Sequence, residues 1–303
     1  MALRTEIANW LSLRELNQPA NSLEQLRINV DQDIIEQQGI QMDDCYQNSF
    51  LVTTEDQAQI EVRTYSPYGL EQDKLRPALV LAHGGGWCLG SLSAWDRTCR
   101  LLAESTQQVV FSVDYRLSPE FKFPVPLTDY FTALTYIYKN ANLLNIDKQR
   151  ISVAGDSAGA NLAAAACLLA RQVPDMTISH QLLFYPALDA LMSSESYQIY
   201  GEGYDLTAAT MEYCWNQYLT DPAERLNELA NPLMASSLVG LPAATIFVCE
   251  YDPVRGDGER YKERLLEAGV NVDFHLLSGM IHGAIHMNTI CNDISDIYKK
   301  IVL

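Results

Sequence analysis

The sequence predicts an α/β protein with a mostly parallel central sheet, helices on both faces and a helical cap. Three observations lead there. Apolar runs rich in β-branched residues recur along the chain: PALVLAH (77–83), QVVFSVDY (108–115), RISVAG (150–155), ISHQLLFYP (178–186), AATIFVCE (243–250) and VNVDFHLL (270–277). Strands buried on both faces read as such continuous runs rather than as alternating ones. Helical patterns separate most of them, which is the order of a parallel sheet covered on both sides. The third observation is a gap. More than fifty residues between Pro186 and Pro242 carry a helical pattern near 207–219 and no clear strand. This reads as an insertion over the carboxyl edge of the sheet, where open α/β sheets bind ligands.

The elements before the first long strand follow in order. Residues 3–16 place Leu3, Ile7, Trp10, Leu11 and Leu13 near one helical face, and Pro19 comes after the end. Ser22 with Gln25 resembles a capping box, opening a second helix that Gly39 can close. Two alternating segments, 46–53 and 58–65, are split by Glu55 and Asp56 and read as an antiparallel hairpin. No repeat, low-complexity tract or linker divides the chain, so 1–303 is expected to be one domain. Its cap would be formed by about 1–40 together with the insertion at about 188–235.

Composition narrows the function classes. Hydrophobic residues make up 48% and charged residues 19%, an ordinary balance for a globular chain. The net charge of −17 and the lack of any basic run argue against nucleic acid or an anionic membrane surface as a partner. No stretch reaches the roughly 20 apolar residues of a membrane span. Arg4, Glu6, Arg14 and Glu15 fall where a signal peptide would need its apolar core. The odd set of seven cysteines, with no C-x-x-C pair, suggests buried free thiols. The expectation is a cytoplasmic protein that works without metal or organic cofactor, alone or as a homodimer.

The chemistry centres on Gly155-Asp156-Ser157-Ala158-Gly159, between the strand 150–155 and an alanine-rich helix from 158. Serine at such a junction is often a helix cap. The spacing G-x-S-x-G also suits a turn so sharp that a side chain two positions away on either side would strike backbone. That turn presents Ser157 at the carboxyl edge of the sheet, with the positive end of the helix dipole facing any developing anion. A serine nucleophile needs a base, and an acid to hold that base in the right tautomer. Among five histidines, His180 and His275 alternate within strands, while His282 follows the last strand in a Gly-flanked loop. His282 is therefore the base candidate. His286 lies at i+4 from it, a spacing that can bind zinc, but no Glu follows His282 and Gly283 is a poor helix former. His286 reads as a helix-face residue.

The acid should follow the strand 243–250, which offers Glu250, Asp252 and Asp257. Asp252 sits just past the last apolar position, with Pro253 fixing the turn. Asp257 opens the next helix, where the dipole alone accounts for an acid. Glu250 is the runner-up to Asp252. An oxyanion site requires bare backbone amides, and His83-Gly84-Gly85-Gly86-Trp87 after the first long strand supplies them. A phosphate loop is the other use of such glycines, but no P-loop Lys or G-x-G-x-x-G accompanies them.

HGGGW (83–87), DYRLSPE (114–120), FPVPLTD (123–129), GDSAGANLA (155–163), DPVRGDG (252–258) and MIHG (280–283) together resemble the hormone-sensitive-lipase-like esterases of the α/β-hydrolase superfamily. The resemblance covers roughly 75–303. It departs at Ser118, where the family often has Ala, and at Ala160, where it often has Gly. It implies an α/β-hydrolase fold and a Ser157–His282–Asp252 triad, with an oxyanion hole formed by the amides of Gly85, Gly86 and Ala158. The implied activity is a carboxylesterase for short- to medium-chain acyl esters, with small-molecule esters as partners. The alternatives are a non-catalytic small-molecule receptor on the same scaffold, or a deacetylase or amidase of small molecules. Trp87 and Trp215 are candidates to line the substrate pocket, or else simply core.

Overall fold

The computed structural model describes residues 2–14, 22–40, 44–69 and 74–303. Helices α1 (Thr5–Arg14) and α2 (Leu23–Gln38) open the chain. Residues 15 and 16 of the expected first helix, and Pro19 behind it, lie outside the described residues. Ser22 caps α2 by accepting a hydrogen bond from the Gln25 amide, and Gly39 closes it in the left-handed region. The Gln25 side chain turns away from the cap and donates to Asn29 Oδ1 at 2.8 Å, so only half of a capping box forms.

Strands β1 (Cys45–Thr53) and β2 (Gln59–Pro67) form the expected antiparallel hairpin. Strands and helices then alternate: β3 (Arg76–Ala82), α3 (Asp96–Thr106), β4 (Val109–Val113), α4 (Val125–Lys139), β5 (Ile146–Asp156), α5 (Ala158–Ala170) and β6 (His180–Phe184). The insertion holds α6 (Ser196–Ile199) and α7 (Ala208–Tyr218). After it come β7 (Ala243–Tyr251), α8 (Arg255–Glu267), β8 (Val272–Ile281) and α9 (Ser295–Tyr298). The described strands join in one sheet ordered β1-β2-β4-β3-β5-β6-β7-β8, antiparallel at the β1 and β2 edge and parallel elsewhere. This is an α/β-hydrolase fold.

The sequence that builds the sheet also builds its core. Every residue of β4 and residues 78–82 of β3 are buried, as their unbroken apolar runs require. Helix α5 is apolar on all sides save for Asn161 and is buried at every position but Leu169, so it lies inside the protein rather than on it. Its alanines keep it thin enough to sit close against the sheet.

Two features of topology position the site. Strands β4 and β5 flank β3 on opposite sides, so the strand order reverses there, and a crevice opens beyond the carboxyl ends of β3 and β5. Ala82 pairs with Gly155 across that boundary, which brings the glycine loop and the Ser157 turn side by side. At the far edge, β8 runs four residues beyond the end expected from sequence. The register shifts between Cys249 and Tyr251, Gly279 absorbs the irregularity at φ +73°, and Ile281 pairs with Tyr251. His282 therefore leaves directly from a strand end, not from the middle of a loop.

The insertion is tied to the core by buried polar groups. Asn161 of α5 donates to Ala187 O and Ala230 O, each at 2.9 Å. Asp257 Oδ2 accepts from the Leu188 and Asp189 amides and from the Tyr197 hydroxyl, each at 3.0 Å. Asp257 stands in the first turn of α8 as expected, but it is fully buried and bonded to the insertion, so the helix dipole alone does not account for it. Burial, with Asp189 beside it, pushes its carboxyl well above the ordinary range.

Candidate active site

Ser157 sits between β5 and α5 with φ +54° and ψ −120°, a conformation that L-residues avoid and that costs on the order of 1–3 kcal/mol. The flanking glycines make it possible. A Cβ on Gly159 would lie 2.0 Å from Ala82 O, and one on Gly155 would lie 2.3 Å from the Gly159 carbonyl carbon. No larger residue fits either position. The helix-cap alternative is set aside, because the Ser157 hydroxyl makes no capping bond. It lies 2.8 Å from His282 Nε2 instead.

His282 Nδ1 lies 2.8 Å from Asp252 Oδ2. Asp252 is fully buried, and its other oxygen accepts the Val254 amide at 3.0 Å. A buried carboxylate accepts only, so the ring proton sits on Nδ1, and Nε2 presents its lone pair to the Ser157 hydroxyl. The Tyr185 ring packs 4.6 Å from the imidazole and limits its rotation. Glu250, the runner-up acid, turns to β8 and accepts the Gly279 amide at 2.8 Å; that hydrogen bond lowers its pKa. Asp257 is engaged with the insertion. Of the three acids, the structure brings Asp252 to His282.

The glycine loop faces the same cavity. Gly85 adopts φ +103°, and a Cβ there would lie 2.3 Å from Leu89 O. Gly85, Gly86 and Ser157 all line the cavity, and Ala158 opens the first turn of α5, whose amides have no partner within the helix. His83 is buried under this loop, stacked on Tyr115 at 4.4 Å, with Nδ1 2.8 Å from Gly84 O. Burial lowers its pKa, which keeps it neutral.

The cavity measures about 240 Å³. Arg14 of α1, Ile34 of α2, Met211 and Cys214 of α7, and Leu89 contribute to its wall. Arg14 lies 3.1 Å from Asp33 Oδ2 and 3.2 Å from Asp205 Oδ1, so one guanidinium joins α1, α2 and the insertion. Trp87 and Trp215 do not line it. Trp87 stacks on Tyr218 at 4.4 Å and meets Trp215 at 4.2 Å inside the core, which corrects the pocket reading of both. Trp95 lines the cavity in their place, a position that no spacing in the sequence marks.

The remaining histidines fall into place. His180 contacts Thr245 Oγ1 at 2.9 Å, and burial pulls its pKa down to about 4. His275 contacts Asp273 and stacks on Phe247. His286 is not on the face of an α-helix. It is buried in a 3-10 turn, Ala284–His286, and lines the cavity. Gly283 at φ +80° turns the chain between the two histidines, so their rings meet different partners. The seven cysteines are free and buried, and burial pushes Cys88 and Cys99 up to about 12, where the reactive thiolate is scarce.

Comparison with known proteins agrees with this fold. The family model for the α/β hydrolase fold matches residues 79–286. An arylesterase of Saccharolobus solfataricus is 38% identical over 225 residues, covering 74% of this chain and 72% of that protein. An ethyl acetate hydrolase of Pseudomonas putida is 36% identical over 251 residues, covering 82% and 79%. Among solved structures, an ester-hydrolase from the metagenome of Lake Arreo superposes with a TM-score of 0.93 at 31% identity, covering 98% of this chain and 96% of that one.

Proposed function

The chain belongs to the hormone-sensitive-lipase-like esterases of the α/β-hydrolase family and is a carboxylesterase, and from that premise we propose that Ser157, His282 and Asp252 form its catalytic triad. One observation carries the assignment. Two contacts of 2.8 Å connect Ser157 Oγ to His282 and His282 to a fully buried Asp252.

The reaction follows from that line of contacts. His282 Nε2 takes the hydroxyl proton as Ser157 Oγ attacks the ester carbonyl carbon. Asp252 fixes the tautomer and stabilises the imidazolium that forms. The carbonyl oxygen gathers negative charge, which the amides of Gly85, Gly86 and Ala158 meet with the α5 dipole behind them. Collapse of the tetrahedral species breaks the bond to the alcohol oxygen, and His282 returns its proton to that leaving group. Water then repeats the sequence on the acyl-serine and frees the acid.

The proposed substrates are short- to medium-chain acyl esters of small alcohols. A cavity of about 240 Å³, below the usual range of drug-sized ligand pockets, supports small acyl groups. Segments from about 1–40 and about 188–235 act as the cap that sets this volume, consistent with the wall residues from α1, α2 and α7. The seven free thiols favour work in a reducing compartment, which we take to be the cytoplasm. Among the described residues, no helix is long and apolar enough to cross a membrane. A fluorophosphonate probe followed by peptide mapping tests the central point. Label on Ser157, lost in Ser157→Ala, is the expected result; a folded protein that takes no label refutes the triad.

A further inference from the structure

His286 is a second histidine in the catalytic cavity, and ester hydrolysis as described leaves it without a part. It is 4% exposed. Its Nδ1 lies 2.9 Å from Gln38 Nε2 and 3.1 Å from Thr98 Oγ1, and its Nε2 lies 3.4 Å from Asp156 Oδ2. The Gln38 amide nitrogen also donates to Ala94 O at 2.9 Å. A carbonyl accepts only, so the NH₂ end of Gln38 faces this corner and offers its second hydrogen to His286 Nδ1. Nδ1 is then the acceptor, the ring proton sits on Nε2, and it points at Asp156.

Asp156 immediately precedes the nucleophile and is itself 3% exposed. Its Oδ1 accepts the Gly84 amide at 2.9 Å and the Trp95 indole N–H at 2.8 Å. The Gly84 bond clamps the start of the glycine loop to the Ser157 turn. A buried carboxylate holds that clamp only while donors satisfy it. Its other oxygen faces His286. The Trp95 ring also stands edge-on to His286 at 5.0 Å, which fixes the imidazole plane.

We propose that His286 is a positioning residue: through Asp156 it sets the placement of the Gly85 and Gly86 amides, and through Gln38 it makes that placement depend on the docking of α2. The inference rests on the oxyanion assignment made above. Its physical content is narrow. Amides that must meet a developing oxyanion lose much of their effect when displaced by a fraction of an ångström, whereas binding of the neutral ester changes little.

The test contrasts two neutral substitutions. Glutamine places an NH₂ where His286 has Nε2–H, whereas asparagine is one carbon shorter and reaches only the Nδ1 position. With a p-nitrophenyl ester, His286→Asn should lower kcat about 10- to 100-fold with KM within about twofold, the signature of an interaction made in the transition state. His286→Gln should restore kcat to within about threefold of wild type while its melting temperature stays near that of the Asn variant. Equal rates for Asn and Gln, or a loss in KM alone, overturn the proposal. Should both variants fail to fold, Gln38→Met keeps the ring but removes the amide that fixes its tautomer. It should lower kcat about three- to tenfold at constant KM, and unchanged kcat overturns the proposal. Fluorophosphonate labelling separates the two levels. Wild type unlabelled at Ser157 overturns the triad reading and this inference with it, while labelled Ser157 with equal Asn and Gln rates overturns this inference only.

Discussion

Asp252→Asn is the sharpest perturbation of the proposed triad, because the structure limits what the new amide can do. Asp252 Oδ1 accepts the Val254 amide at 3.0 Å and Oδ2 faces His282 Nδ1 at 2.8 Å. An Asn that keeps its oxygen on Val254 must present NH₂ to His282. The ring then carries its proton on Nε2, pointed at the Ser157 hydroxyl, and has no lone pair left for that proton. Turning the amide over restores an acceptor to His282 but sets two N–H donors against each other at Val254. That arrangement leaves buried donors unpaired, at a cost of about 1–3 kcal/mol, and so limits the useful tautomer to between about one molecule in five and one in 150. Losing the negative charge beside the forming imidazolium adds to this cost, and the expected loss is of the order of the 10⁴ in kcat, about 5.4 kcal/mol, seen when a serine-protease triad loses its carboxylate. Residual activity above background should persist, since the oxyanion amides and the cavity are untouched. The assay is kcat and KM on a p-nitrophenyl ester, with circular dichroism to verify folding and Glu250→Gln as the comparison. Gln can still accept the Gly279 amide, so Glu250→Gln should stay within a fewfold of wild type. A loss below about tenfold in folded Asp252→Asn, or an inactive Glu250→Gln beside an active Asp252→Asn, refutes the assignment.

Further outcomes follow from the same geometry. Ser157→Gly and Ser157→Ala should both be inactive, yet the Gly variant should be the more stable by about 1 kcal/mol, because glycine relieves the positive φ; equal melting temperatures would show that the turn stores no strain. Asp257→Asn should keep most of its activity and gain stability over wild type as pH rises. The native carboxyl has a raised pKa, so wild type loses stability from the unfolded value of about 3.9 upward, whereas Asn does not ionise; melting curves across pH check this, and a uniform loss at every pH would contradict it. Ester hydrolysis through a neutral imidazole base should be lost in acid, and a folded preparation fully active near pH 4.5 would exclude that base. Along a series of p-nitrophenyl esters, rates should peak between acetyl and about octanoyl, and a maximum at about twelve carbons or longer would mean that the cavity wall yields to substrate.

Much of this protein was legible without coordinates, and the reason is locality. The Ser157 turn needs glycine at two fixed positions because backbone atoms a few residues apart collide otherwise. The strands announce themselves because a strand buried on both faces must be apolar throughout. The order of nucleophile, acid and base follows from which strand ends border the crevice. Side-chain direction was a different matter. Whether Glu250 or Asp252 meets His282 depends on how β8 pairs with β7, and the bulge at Gly279 draws Glu250 away. Trp87 and Trp215 are equally suited to a pocket or a core, and only the packing of α7 against the glycine loop puts them in the core. Asp257 looks like an ordinary acid at a helix start until the insertion folds over it. His286 sits four residues from the base, a spacing that says helix, but Gly283 breaks the helix and carries the ring to Gln38, 248 residues away in the chain. Local sterics are written into neighbouring residues. The partner of a buried polar group is chosen by contacts that span the whole chain, so only the tertiary structure decides it.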